Sequence, residues 1–320
     1  MMQDLKNSKV AIIFYGMIRN YSLPSKSIKK HIIKPNNGDV YYFGPSYTDR
    51  PSNSHYGKFD KDGFLMENPK SAKDSVFPAE IGDFIETYSD CIKNYKTHDL
   101  KFSFFEEEAD SVSGRDEWLF QLNPARVLSM FYNMSGAIEA FLNFSNENSL
   151  SYDACVLMRP DLVFYNRVLP QAEDGKIYIP KAQGISERGE TYDGNAPVYF
   201  YKNAYTGEYI PGGRKITFND QFLIMTQKEI STFKGMYDEV KDMMKRKVPL
   251  SPETLFYLMT KNRFLDVIIN ADWIYEIYRN DTKLISNIID SPELRDIDRY
   301  HPSLKEKTKS KFEGKGYRSL

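Results

Sequence analysis

Arg159-Pro160-Asp161 sets a guanidinium and a carboxylate two residues apart, directly after the apolar run Ala154-Cys155-Val156-Leu157-Met158. An unbroken apolar run of this kind reads as a strand covered on both faces of a parallel or mixed sheet. Pro160, unable to donate to a ladder, marks its end. Ligands of open α/β sheets bind outside the carboxyl ends of strands. Asp161 is therefore expected to contact a metal or ligand; the alternative is an Arg–Asp pair that merely closes a loop. Asn219-Asp220-Gln221 is a second polar cluster, interrupting the apolar segment that runs from Ile216 to Met225. Polar groups in a buried segment are costly unless hydrogen-bonded, so these three are either a satisfied network or a site, and we expect a site.

A third cluster opens the chain. Val10-Ala11-Ile12-Ile13-Phe14-Tyr15 reads as the first buried strand, and Gly16-Met17-Ile18-Arg19-Asn20-Tyr21 follows it. A strand, a glycine and a helix start bring backbone N–H groups toward an anion, and Arg19 adds a bidentate donor suited to phosphate. Asp39 to Gly44 is a second strand, and the polar, glycine- and proline-rich stretch from Pro45 to Pro69 a long loop. The spacing predicts a helix over Glu80 to Tyr95 and a strand over Leu100 to Phe105, with Glu106-Glu107-Glu108 on the surface. Asn123-Pro124 starts a helix with a capping side chain and proline in its first turn, carried to about Asn146 by apolar residues at helical spacing. Lys176 to Pro180 reads as a strand, and Lys181 to Arg214 as an acceptor-side loop. Lys228 to Lys245 reads as a helix, and Ser251-Pro252-Glu253 caps another that reaches about Lys261. Leu265–Ile269 and Trp273–Tyr278 are two closing strands.

The 320 residues carry a net charge of −1, which recruits no nucleic acid, and are 41% hydrophobic and 27% charged, as in soluble globular chains. Two cysteines, Cys91 and Cys155, and four scattered histidines exclude a disulfide scaffold and a histidine-rich zinc site. Met1 to Lys9 lacks the apolar core of a signal peptide, and no apolar run is long enough to span a bilayer. The expectation is a cytoplasmic protein. Six basic residues against two acidic ones between Ser303 and Leu320 raise a peripheral contact with an anionic membrane.

The three clusters follow or interrupt apolar segments, so they are expected to meet at one sheet edge. A nucleoside diphosphate needs cationic donors, here Arg19 and Arg159, and a divalent ion held by a carboxylate, here Asp161. Sugar transfer needs a carboxylate near the reacting carbon, here Asp220. Tyr15, Gly16, Asn20, Asn219 and Gln221 complete the expected substrate- and nucleotide-binding set.

On these residues the chain resembles GT-A-fold glycosyltransferases of surface-polysaccharide synthesis. The opening strand followed by Gly-x-x-Arg is similar to theirs. So are Tyr-Asp-x-x-x-x-x-Arg-Pro-Asp-Leu-x-Phe, from Tyr152 to Phe164, and the later Asp220-Gln221. The resemblance implies an α/β, Rossmann-like, mixed and mostly parallel sheet flanked by helices. Its catalytic domain would cover 1–260, with a nucleotide-binding half to about 165 and a variable acceptor half, followed by an extension over 261–320. It implies a nucleotide-sugar donor, a glycan or other hydroxyl acceptor, and Mn²⁺ or Mg²⁺ on Asp161, completed by His301. Arg159 stands where this fold usually carries its first metal-binding aspartate, which places phosphate neutralisation by the arginine itself beside metal use. A non-catalytic carbohydrate-binding protein on the same fold and a sugar nucleotidyltransferase are the alternative functions. The second lacks a Gly-rich, lysine-bearing loop after the first strand.

Overall fold

The computed structural model describes residues 9–19, 21–49, 76–79, 81–112, 123–185, 191–193, 196–202, 209–211, 216–246 and 248–278. The strands, in chain order, are β1 (Val10–Tyr15), β2 (Asp39–Pro45), β3 (Tyr47–Asp49), β4 (Val76–Pro78), β5 (Ile92–His98), β6 (Ala154–Met158), β7 (Leu162–Phe164) and β8 (Lys176–Ile185). Then come β9 (Thr191–Asp193), β10 (Ala196–Pro197), β11 (Tyr199–Lys202), β12 (Tyr209–Pro211), β13 (Thr217–Phe218), β14 (Phe222–Met225) and β15 (Asp266–Ile277). The helices are α1 (Ser22–Ile28), continued by a π-helical stretch Lys29–Ile33 into α2 (Lys34–Asn36), and α3 (Ile81–Thr87), α4 (Phe102–Val112) and α5 (Pro124–Glu147). Three more follow: α6 (Gln227–Ser231), α7 (Met236–Lys245) and α8 (Pro252–Asn262). None of the helices among the described residues is long and apolar enough to cross a membrane.

The central sheet runs β5-β2-β1-β6-β14-β8-β15-β7, with β9 added on β8. β5, β2, β1 and β6 are mutually parallel. β14 is antiparallel to both β6 and β8, and β15 then returns to the direction of β8. This is a Rossmann-like α/β sheet, mixed and mostly parallel. Alternate side chains divide the core: Ala11, Ile13, Cys155, Leu157, Leu223 and Met225 face α4 to α8. Val10, Ile12, Phe14, Val156, Met158, Phe222 and Ile224 face α1, the π-helical stretch and α3.

Several elements differ from the sequence reading. The helical spacing of Ile81, Phe84, Ile85 and Tyr88 stops at Thr87, and Ile92–His98 instead pairs with the edge of β2. A strand reading of Leu100 to Phe105 fails because Phe102, Phe105 and Ala109 repeat at helical spacing, and Phe105 and Ala109 are the buried face of α4. The helix over Lys228 to Lys245 is two helices, parted at Gly235, whose φ of 77° suits glycine and stops a right-handed helix. Lys181 to Arg214 is not one irregular loop: it holds the end of β8 and the short strands β9 to β12. The two closing strands are one, β15, with a register shift between Asn270 and Ile274. Because β15 pairs with β8 and β7 inside the sheet, a boundary at 260 cuts through the core. The basic tail from Ser303 and most of the Pro45–Pro69 loop lie outside the described residues.

One glycine couples the sheet to its functional edge. A Cβ on Gly44 would overlap the Gly16 carbonyl oxygen and the Tyr42 hydroxyl, so β2 approaches the Gly16 turn backbone to backbone. Gly16 itself has a φ of 88° and donates its N–H to the Phe43 carbonyl at 3.0 Å. Gly44→Ala is expected to lower stability by about 1–3 kcal/mol, the usual cost of forcing atoms into a packed place. Urea denaturation of the two proteins measures it, and an unchanged midpoint would show that the Gly16 turn yields freely.

Candidate functional site

Register fixes which residues emerge together. Phe14 of β1 aligns with Met158 of β6, and Met158 with Phe222 of β14. One step beyond each lie Tyr15, Arg159 and Gln221. Because β14 runs against β6, the residues entering it stand at the same edge as those leaving β1 and β6. The strand order reverses beside β1, which makes the crevice between β1 and β6 the place where such sheets bind ligands.

Two crosslinks close this edge. The Tyr15 hydroxyl donates to the Asp220 carbonyl oxygen at 2.6 Å, and the Arg159 backbone N–H donates to the Gln221 carbonyl at 3.2 Å. Arg159 then grips Asp161 with two parallel bonds, Nε to Oδ1 at 2.9 Å and Nη2 to Oδ2 at 2.6 Å. Arg19 approaches the same carboxylate, with Nη1 3.9 Å from Oδ2, and its Nη2 donates to the Met17 sulfur at 3.4 Å. Asp161 is almost fully buried, whereas each arginine side chain keeps about a fifth of its surface exposed, 20% for Arg19 and 21% for Arg159. Burial works against the charge on Arg159, but Asp161 outweighs it, so the guanidinium stays protonated. Its Nη1 donates no hydrogen bond among the described residues. The edge therefore presents two cations to one carboxylate, with a donor to spare.

Asn219 and Gln221 are largely occupied by one another. The Asn219 side-chain oxygen accepts from the N–H groups of Gln221 at 2.9 Å and Phe222 at 3.2 Å. Its nitrogen donates to the Tyr275 hydroxyl at 2.6 Å, and that hydroxyl donates to the Gln221 side-chain oxygen at 3.0 Å. These two residues form the satisfied network, and they shape the turn that carries Asp220. Asp220 is the exception: it is 6% exposed, and no side chain donates a hydrogen bond to its carboxylate among the described residues. Burial first, and then repulsion from Glu253, push its carboxyl up to about 7 against the opposing pull of Arg159 and of a backbone N–H. Such a group can take or give a proton near neutral pH.

The structure thus brings together Tyr15, Gly16, Arg19, Arg159, Asp161, Asn219, Asp220 and Gln221. Asn20 and His301 lie outside the described residues. Of the expected metal ligands, only Asp161 lies among the described residues. Both Asp161 oxygens accept from the Arg159 guanidinium, and no group of three or more His, Cys, Asp or Glu side chains is gathered among the described residues. Glu253 and Tyr275 escaped the sequence reading. Ser251-Pro252-Glu253 was legible only as a helix cap, and Ser251 does accept from the Thr254 N–H. Tyr275 sits in an apolar strand, where nothing marks its hydroxyl as part of a site.

No protein-family model matches this chain, and no curated protein matches it.

Proposed function

We propose that this chain is a GT-A-like glycosyltransferase, moving a sugar from a nucleoside-diphosphate donor to a hydroxyl of a glycan or other acceptor. The observation that carries the reading is a buried carboxylate with no side-chain donor, Asp220, at the same sheet edge as the guanidiniums of Arg19 and Arg159. Phosphate charge needs donors of that geometry. The spare Nη1 of Arg159 can reach a phosphate oxygen without releasing Asp161. Tyr15 and the Asn219–Tyr275–Gln221 network hold the Asp220 turn in place.

The reaction then runs as a direct displacement. The acceptor hydroxyl gives its proton to the Asp220 carboxylate as its oxygen bonds the anomeric carbon. The bond from that carbon to the diphosphate breaks, and its electron pair leaves on the phosphate oxygen, where the two arginines stabilise the charge. A single displacement inverts the anomeric centre.

A thermal-shift panel of UDP-, GDP-, CMP- and dTDP-sugars, with Mn²⁺ and with chelator, tests the reading. Binding to the native state adds about 2.7 kcal/mol of stability at 100 times the dissociation constant. The expected result is a shift with one nucleotide class that survives chelation, followed by release of the free nucleotide once an acceptor is supplied. Stabilisation by glycans alone, with none from any nucleotide sugar, would instead identify a carbohydrate-binding protein.

A further inference from the structure

We propose that Tyr275 is a positioning residue of this site: its hydroxyl fixes which way the Gln221 amide faces, and so leaves the Gln221 Nε2 as a hydrogen-bond donor for a ligand oxygen. This rests on the reading of the edge as a nucleotide-sugar site, and deepens it. The order of the bonds is forced from the backbone outward. The N–H groups of Gln221 and Phe222 both point at one atom of the Asn219 amide, at 2.9 and 3.2 Å, and only its oxygen can accept them. The Asn219 nitrogen therefore faces Tyr275 and donates to its hydroxyl at 2.6 Å. That hydroxyl still has a proton of its own to place, and the Gln221 Oε1 accepts it at 3.0 Å. A flipped Gln221 would aim a second N–H at the hydroxyl and orphan its proton in a fully buried place, at the desolvation cost of an unpaired donor.

The Tyr275 ring is itself held in place. Its centroid lies 5.9 Å from that of Phe164 on β7 and 6.3 Å from that of Phe222 on β14, and its backbone pairs with Phe164. Burial, the largest cause, keeps the hydroxyl protonated well above the ordinary tyrosine range, so its proton is present at any pH near neutrality. What remains is the Gln221 Nε2, which makes no hydrogen bond among the described residues. The buried side-chain polar atoms without a partner there are the Tyr88 and Ser145 hydroxyls alone, so Nε2 meets solvent. Gln221 stands between Asp220 and β14, with its backbone carbonyl on the Arg159 N–H at 3.2 Å. An amide nitrogen donates and accepts nothing. The edge thus carries a neutral donor next to Asp220, selective for an oxygen lone pair: that of a sugar hydroxyl or of a phosphate.

Tyr275→Phe, Gln221→Met and the double variant test the link. Thermal shifts give the dissociation constant of each nucleotide sugar of the panel and of its free nucleotide. Each single variant is expected to weaken binding by about 3- to 10-fold, the worth of one neutral hydrogen bond. The double variant is expected to lose no more than Gln221→Met alone, because Tyr275 acts through Gln221. A loss confined to the nucleotide sugar assigns the donor to a sugar hydroxyl, and an equal loss with the free nucleotide assigns it to a phosphate. Losses that multiply in the double variant, the mark of two independent structural roles, would overturn the proposal, as would unchanged binding. A second readout needs no ligand. The Gln221 Nε2 protons, identified in ¹⁵N-glutamine-labelled protein by their absence from Gln221→Met, are expected to exchange rapidly with water, and slow exchange would overturn the proposal. Rapid exchange in a protein that binds no nucleotide sugar would leave the free donor standing and the transferase reading fallen.

Discussion

Asp220→Asn is expected to slow sugar transfer by about 10²- to 10⁴-fold, the usual contribution of a positioned base, while making the protein more stable at pH 8. Both effects have one origin. In the unfolded chain an aspartate ionises near pH 3.9, whereas in the fold Asp220 holds its proton up to about 7. Between those values the native state binds more protons than the unfolded one. The stability this provides is complete below about pH 4 and is lost as pH rises through about 7. Asparagine cannot ionise, so the variant escapes the loss. Urea denaturation at pH 5 and pH 8 should show the advantage of the variant growing with pH. Parallel behaviour at the two pH values would mean that Asp220 is not the ionising group.

Asp161→Ala carries the second large effect. Losing one partner of a buried ion pair costs about 3–5 kcal/mol, because the other charge is left uncompensated. Arg159 would lose both hydrogen bonds of its guanidinium, keeping the solvent that meets the exposed fifth of its side chain and the weaker pull of Asp220. A carboxylate expected from sequence to serve a ligand, and thus to be dispensable for folding, is instead expected to be needed for it. The double variant Arg159→Met with Asp161→Leu, which removes both charges together, is expected to recover much of the loss. Chemical denaturation of the three proteins gives the comparison. A loss below about 1 kcal/mol for Asp161→Ala, the range of solvent-screened pairs, would contradict the buried pairing.

The outcome at Asp161 shows where sequence reading reaches its limit. The apolar run Ala154–Met158, the strand Val10–Tyr15 and the long helix from Pro124 were all legible, because each buries a continuous face and has an unambiguous end. The meeting of the Gly16, Arg159 and Asp220 clusters was legible too, since each follows a strand end or breaks an apolar segment. What could not be read is which polar group binds to which. Arg159-Pro160-Asp161 has the same letters whether the acid faces a ligand or its own neighbour, and only the turn at Pro160 decides. Asn219, Asp220 and Gln221 look alike in sequence, yet two are tied to Tyr275 and the backbone and one is not. The partners that separate them, Tyr275 and Glu253, come from more than 30 positions away along the chain. The misread helix and strand near Ile92 and Phe102 have the same cause at smaller scale: a short run of apolar letters fits both periods until the edge of β2 claims one of them.

The alignment of Phe14, Met158 and Phe222 has a consequence for how such a protein can change. Slipping β14 by a single residue would turn Leu223 away from its helices and carry Asp220 off the edge in the same movement. The position of Asp220 and the packing of β14 are set by the same three rungs, so neither can drift without the other.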